Sequence, residues 1–317
     1  MSREVSWTIG RWQPQRARPW FFGIALLVVL GWWVQATLGW QQVLQPWMVM
    51  PPKTLLWASL LVLLSHLLRA VRVYEQYDAA ARFAFLPLLR LTVIHTAINN
   101  LLPMRLGELA FPLLMKRYFN EGLMRSGFTL AWIRLLDLHF LGLIVLLMLA
   151  LRAGAWAWLV PLGWLLSLPG LHLVRGYLLG GLHGRPGRLA ALLYLALEQA
   201  PADFGRQARC YFWTAAAWSA KVCAFVLILL HFLDLPSWQA VVGVIGGELS
   251  SVLPVHGIAG AGSYEAAVVL ALLPLQVNAD QALLGAVNLH LFLLATTTGL
   301  GLLALLLPVR RAVTPSI

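Results

Sequence analysis

The sequence predicts an all-α, polytopic membrane helix bundle of about seven spanning helices plus two re-entrant helical hairpins. Three observations predict it. First, only 11% of the 317 residues are charged while 60% are hydrophobic, and the mean hydropathy is +0.78. A soluble domain keeps roughly a quarter of its residues charged to wet its surface, so lipid must be the solvent for most of this one. Second, apolar runs recur at the length of about 20 residues that a spanning helix needs. Third, two further apolar stretches are too short or too broken to cross, and their flanking charges bring both ends to one side.

The spanning runs are 20–38, 54–73, 83–102, 126–151, 155–174, 211–233 and 281–307. The first follows Arg16 and Arg18, is long, and carries Trp32, Trp33 and Gln35 in place of a small-residue cleavage site, so a retained helix is expected and no cleavable signal peptide. Tryptophans near segment ends, such as Trp40, Trp47, Trp156 and Trp238, suit an aromatic belt. Residues 1–19 form a basic N-terminal segment, 20–307 a single transmembrane domain, and 308–317 a C-terminal tail. Basic residues orient the chain in a bacterial inner membrane. With both termini cytoplasmic, Arg3, Arg11, Arg16 and Arg18 lie inside, as do Arg69, Arg72, Arg82 and Arg90, then Arg175, Arg185, Arg188, Arg206 and Arg209, and finally Arg310 and Arg311, while Lys53 and Arg152 fall outside. The longest cytoplasmic stretch, 175–210, holds an expected interfacial helix at 188–200.

The broken stretches follow from the same charges. Residues 103–118 contain Pro103, Arg105, Gly107, Glu108 and Pro112, and Lys116, Arg117 and Arg125 draw their end back to the cytoplasm. Residues 83–118 are therefore expected to rise, break near Pro103 and return. Residues 238–275, interrupted by LPVHGIAGAGSYE at 253–265, are expected to dip in from the opposite face. Two hairpins from opposite faces resemble the inverted repeats of secondary transporters, whose sites form where broken helices meet. The alternative is two kinked helix pairs without symmetry, and no sequence repeat joins the halves.

Charged side chains in lipid are costly, by about 2.5–3.5 kcal/mol on insertion scales, and face a cavity or a partner. Arg105, Glu108, Arg134, Asp137, Lys221, Glu248 and Glu265 are the candidates here. Arg105/Glu108 and Arg134/Asp137 are i,i+3 pairs that share a helix face, which serves either mutual neutralisation or a ligand. A helix starting after Pro103 would aim free N–H groups and a partial positive charge at the hairpin apex, where Arg105 could help to hold a phosphate. In the second hairpin Gly257, Gly260 and Gly262 permit tight turns, Ser263 is the expected cap of a helix beginning at Tyr264, and Glu265 serves either the helix dipole or a cation, Arg134 or Lys221. His95, His139, His256 and His290 lack metal-ligand spacing and read as buried, hydrogen-bonded histidines, with His256 at the apex the best exception. Cys210 and Cys223 read as small apolar residues. No metal or cofactor is expected.

At these residues the chain resembles the lysylphosphatidylglycerol synthase/flippase transmembrane family. Its LP-x-R-x-GE segment corresponds to Leu102, Pro103, Arg105, Gly107 and Glu108, its ER-x-x-D motif to Arg134 and Asp137, and its LP…GG-x-G-x-x-E motif to Leu253, Pro254, Gly260, Gly262 and Glu265. Order and spacing agree over roughly residues 50–307, although Ile133 stands where the family often has glutamate and Ala259 replaces the first glycine of the pair. The resemblance implies translocation of aminoacylated phosphatidylglycerol, of hopanoid lipids or of polyprenyl-phosphate-linked glycans. No aminoacyl-transferase domain is expected, since the chain ends ten residues after the last run.

The function expected is a non-enzymatic flippase or carrier for a lipid with an anionic head group, phospholipid or polyprenyl-phosphate-linked. Its head-group residues are expected to be Arg105, Glu108, Arg134, Asp137, Lys221, Gly260, Gly262 and Glu265. One alternative is a non-catalytic subunit that partners envelope glycan or lipid synthesis enzymes. Another is an intramembrane enzyme, either a serine protease using Ser263 and His290 or a polyprenyl-dependent transferase, for which no acidic DxD-like loop is present. The net charge of +11 does not indicate a nucleic-acid partner, because the basic residues are scattered between apolar runs.

Overall fold

The computed structural model describes residues 18–77, 84–102, 107–199, 203–250 and 258–307, and every regular element among them is helical. The chain opens with α1 (Arg18–Thr37), a turn at Gly39, where φ is +77°, and a short helix α2 (Trp40–Met48). A long helix, α3 (Pro52–Gln76), is followed by two short arms, α4 (Phe85–Leu101) and α5 (Ala110–Phe119), and by a second long helix, α6 (Leu123–Ala153). After α7 (Leu159–Leu182) and α8 (Arg188–Gln199) the same order returns. Long α9 (Phe204–Phe232) leads to the arms α10 (Ser237–Ser250) and α11 (Ser263–Leu272), then to long α12 (Ala279–Leu305).

Among the described residues, six helical stretches are long and apolar enough to cross a membrane: 52–76, 123–153, 155–182, 204–232, 258–275 and 279–305. The protein is a multi-pass membrane protein. Its outward surface is apolar, α7 most of all, with Leu159, Leu166, Leu173 and Val174 exposed.

Local chemistry sets the helix ends. Pro52 begins α3, where its missing N–H costs nothing. Asp203 caps α9 by accepting from the Arg206 N–H at 2.7 Å. Asn278 caps α12 by accepting from the Asp280 and Gln281 N–H groups. Asn120, in the left-handed region, stops α5.

Contacts fix the helix directions. Along α3 and α9, Glu75 meets Arg209, Arg72 meets Thr214, and Arg69 lies over Trp218, so the two helices are antiparallel. Tyr77 beside Arg125 makes α6 antiparallel to α3. Arg90 donating to the Leu307 carbonyl, and Asn100 donating to Thr297, make α12 antiparallel to α4. One end of the bundle thus gathers the C-terminal ends of α3 and α12 with the N-terminal ends of α6 and α9.

The arms α4 and α5 start and finish at that end, where Phe85 packs edge-on to Tyr74 and Met115 joins Val73 and Tyr77. The arms α10 and α11 start and finish at the other end, where Arg152 lies 3.9 Å from the Trp238 ring and Gln239 donates to the Leu275 carbonyl. The arms have 10 to 17 residues, about 15–26 Å at 1.5 Å per residue, against about 30 Å of hydrocarbon. Each hairpin therefore ends inside the bundle.

Glycines let the arms touch. A Cβ on Gly107 would sit 2.3 Å from the Asn99 Cα, and one on Gly246 would sit 2.5 Å from the Ala271 Cβ. Close approach through small residues is the usual means of packing helices in lipid, where no hydrophobic force drives association.

Several expectations shift. The run 83–102 is α4, an arm of 17 residues and too short for a full crossing. α3 continues to Gln76 inside the bundle, so Arg69 and Arg72 are interior charges and not loop charges. α9 begins at Phe204, seven residues ahead of 211, because Asp203 caps it there. α8 occupies the predicted 188–200 helix, its last carbonyls accepting from Arg175. The short helix α2 has no counterpart among the predicted elements; Trp47 ties it to Asn288 at 2.6 Å. The basic segment 1–17 and the tail 308–317 lie outside the described residues.

Candidate functional site

The hairpin tips meet the long helices at a polar cavity of about 70 Å³. α3, α4, α6, α9, α10, α11 and α12 all contribute to its wall, together with Ala259 in the break before α11.

Asp137 holds one side of it. Its Oδ1 accepts from Arg72 and from the Trp218 indole at 2.8 Å, and its Oδ2 from Arg134 at 3.2 Å. Arg72 also donates to Thr214 at 3.1 Å. Arg134 reaches Glu108, with Nε and Nη2 each 3.0 Å from Oε1. Four helical segments, from α3 to α9, are thus tied by two carboxylates and two guanidiniums. A buried pair of this kind is strongly destabilised if one partner is removed.

On the α9–α10 side, Lys221 donates to Glu248 at 2.7 Å and lies against the Trp218 and Phe225 rings. At the α11–α12 side, Glu265 Oε2 accepts from the Gly262 N–H at 2.8 Å, and its Oε1 meets His290 Nδ1 at 2.6 Å. His290 Nε2 reaches the Ala259 carbonyl at 2.8 Å, and Tyr264 stacks on the imidazole. A carbonyl only accepts, so Nε2 carries a proton. The Glu265–His290 contact then shares a second proton whichever partner holds it.

Arg69 differs from the other cations. Its Nε makes one long bond, 3.5 Å, to Ser65 Oγ, and its guanidinium lies 4.6 Å from the Trp218 ring centroid. Among the described residues its buried Nη2 has no hydrogen-bond partner, and no carboxylate lies within ion-pair distance. A smaller cavity of about 30 Å³ shares Arg69, Thr96 and Arg134 with the first and extends towards Val73, Phe111 and Leu130, at the end where α4 and α5 have their base.

Of the predicted head-group residues, Arg134, Asp137 and Lys221 line the main cavity, while Glu108 and Glu265 bond residues that line it. Arg105 lies outside the described residues, as do Leu253, Pro254, His256 and Gly257. Glu265 pairs with His290 rather than with Arg134 or Lys221, which Asp137, Glu108 and Glu248 already hold. Gly260 and Gly262 both adopt φ +83° and shape the break, as expected of glycine. The Gly262 N–H is engaged by Glu265, however.

Gly262, not Ser263, is the cap residue, and Ser263 Oγ donates to the Gly260 carbonyl at 3.0 Å. With both His290 nitrogens also engaged, the Ser263–His290 pairing considered for a protease is not formed. His139 is a satisfied interior histidine, bonded by Tyr211, the Trp164 carbonyl and Ser167.

The sequence patterns missed Arg69, Arg72, His66, Asn99, Trp218 and Tyr264. A signal for the first three exists: Ser65, His66, Arg69 and Arg72 fall on one face of a helix that is otherwise apolar.

The family model described as the lysylphosphatidylglycerol synthase TM region matches residues 20–301. No curated protein matches the chain.

Proposed function

The chain belongs to the lysylphosphatidylglycerol synthase transmembrane family, and we propose that it is a non-enzymatic flippase or carrier for a lipid with an anionic head group. The observation that supports this is the cavity where hairpins from opposite ends meet, walled by Arg69, Arg134 and Lys221 and set inside a bundle with an apolar exterior. Interior cations of this expense mark substrate paths in membrane proteins. One water needs roughly 10–15 Å³ of such space, so about 70 Å³ receives a phosphate-sized group and excludes acyl chains. The head group enters while the tails stay in the surrounding lipid. The smaller cavity, sharing Arg69 and Arg134, extends the polar route towards one end.

The orientation we propose is that of a bacterial inner membrane, with both termini in the cytoplasm. Arg90, Lys116, Arg117, Arg125, Arg206 and Arg209 gather at the end where α4 and α5 have their base, and Lys53 and Arg152 at the other. The bias survives the removal of Arg69 and Arg72 from the count.

Proteoliposomes carrying tail-labelled lipids test the function. Purified protein should speed the transbilayer movement of an anionic phospholipid well above protein-free vesicles, and move phosphatidylcholine far less. Equal rates with and without protein would reject transport.

A further inference from the structure

Beyond the cations, the cavity wall holds an unusual set of vacant polar atoms. Among the described residues, His66 Nε2, Asn99 Oδ1, Tyr264 OH and Arg69 Nη2 are all buried without a hydrogen-bond partner, and all four residues line the cavity. His66, Asn99 and Tyr264 are 8%, 9% and 2% exposed. An unmade bond on a buried polar atom typically costs about 1–3 kcal/mol, and such groups in native structures are normally satisfied by protein, water or ligand.

The vacancies differ in kind. Arg69 Nη2 only donates, and Tyr264 OH can donate. His66 Nδ1 lies 2.9 Å from the Val62 carbonyl and so carries the proton, which makes neutral Nε2 an acceptor. Asn99 Oδ1 is an acceptor too. The wall therefore presents donors from α3 and α11 together with acceptors from α3 and α4. A bare anion would satisfy the donors and leave the acceptors empty. A neutral polyol would leave the Arg69 guanidinium uncompensated.

We propose, building on the lipid-carrier function above, that this set is a selective head-group seat for a phosphate-linked polyol. A phosphodiester oxygen accepts from Arg69 and Tyr264, and hydroxyl groups of the attached glycerol or sugar donate to His66 and Asn99. Arg69 suits the phosphate because its planar fork stays charged when desolvated. The seat makes Arg69, Tyr264, His66 and Asn99 the residues of specificity; Tyr264 fills a variable position of the family's last motif, and the other three lie outside its motifs.

Binding is measured separately from transport, by thermal shift of the purified protein in detergent with three probes. Phosphatidylglycerol and phosphatidylmethanol share a phosphodiester and its single charge, but only the first carries head-group hydroxyls. Glycerophosphoglycerol supplies the same head group without tails. Phosphatidylglycerol should bind about tenfold more tightly than phosphatidylmethanol, the scale of one or two lost hydrogen bonds. Asn99→Ala should shrink that preference to the part that His66 supplies. Tyr264→Phe should weaken both lipids about tenfold, yet the ligand-free protein should melt no lower than wild type, since the lost hydroxyl has no partner among the described residues.

Equal wild-type binding of the two lipids, or unchanged binding by Tyr264→Phe, overturns the seat. Stabilisation by glycerophosphoglycerol equal to that by the lipid would overturn the lipid as its ligand and assign it a soluble phosphodiester. The predicted binding preferences without movement in proteoliposomes would keep the seat and reject the carrier, and movement without the preferences would do the reverse.

Discussion

Asp137 and Arg69 belong to the same cavity wall but are held in opposite ways. Asp137 receives Arg72, Arg134 and Trp218, from three helices; among the described residues Arg69 receives no carboxylate. Asp137→Ala leaves the buried Arg72 guanidinium without a carboxylate and Arg134 with Glu108 alone, and should destabilise the protein by about 3–5 kcal/mol. Arg69→Gln removes a charge that no carboxylate bonds among the described residues, and should leave the melting temperature near or above wild type. Melting curves of both variants in the same detergent decide it; an Asp137→Ala protein as stable as wild type would show that the pairs are incidental. The Arg134–Asp137 pair was legible in the sequence because i,i+3 spacing places both on one helix face whatever lies around it. The partners Arg72 and Trp218 were not, since they come from helices 65 and 81 residues away in the chain, and only packing brings them near. Arg69 was misread for a related reason: the run 54–73 ends in two arginines that read as the cytoplasmic edge of a span, but the helix continues to Gln76 inside the bundle.

The element that defines this architecture is the short hairpin, and its tightness depends on backbone touching backbone. At Gly107 the atoms that a Cβ would strike are the Asn99 Cα and N and the Ile98 carbonyl carbon, 2.3–2.8 Å away, none of which can swing aside. Gly107→Ala should therefore push α5 off α4 and cost about 1–3 kcal/mol, while weakening ligand binding through displaced Asn99. Gly163→Ala in α7 is the matched control: nothing lies within 4 Å of its Cβ position, and alanine in a helix is favoured by about 1 kcal/mol over glycine. A Gly107→Ala protein that melts and binds like wild type would mean the arms are not in firm contact. The hairpins were legible from length and flanking charge. Their internal details were not, because the Gly262 cap and the Glu265–His290 bond depend on where α12 lies rather than on the loop's own residues.

At the scale of the whole molecule, the order long helix, short hairpin, long helix occurs twice, and the two hairpins have their bases at opposite ends. Such a bundle can offer the site to either face by small movements of one hairpin tip against the other, as transporters with broken helices do. The arrangement makes a prediction that separates geometry from orientation. Single cysteines are placed at Gln45, Asn120, Ala153, Arg185 and Gln276, all exposed, in a C223S background that removes the exposed native thiol. A membrane-impermeant maleimide is then added to intact cells. Positions 120 and 276 flank the bases of the two hairpins and must react from opposite sides, whichever way the protein is inserted. With both termini cytoplasmic, Gln45, Ala153 and Gln276 should label from outside, and Asn120 and Arg185 only after lysis. The mirror pattern would reverse the orientation and keep the opposed hairpins. External labelling at both 120 and 276 would break the opposition itself, and the meeting of the tips at one cavity would lose its meaning as a route across the membrane.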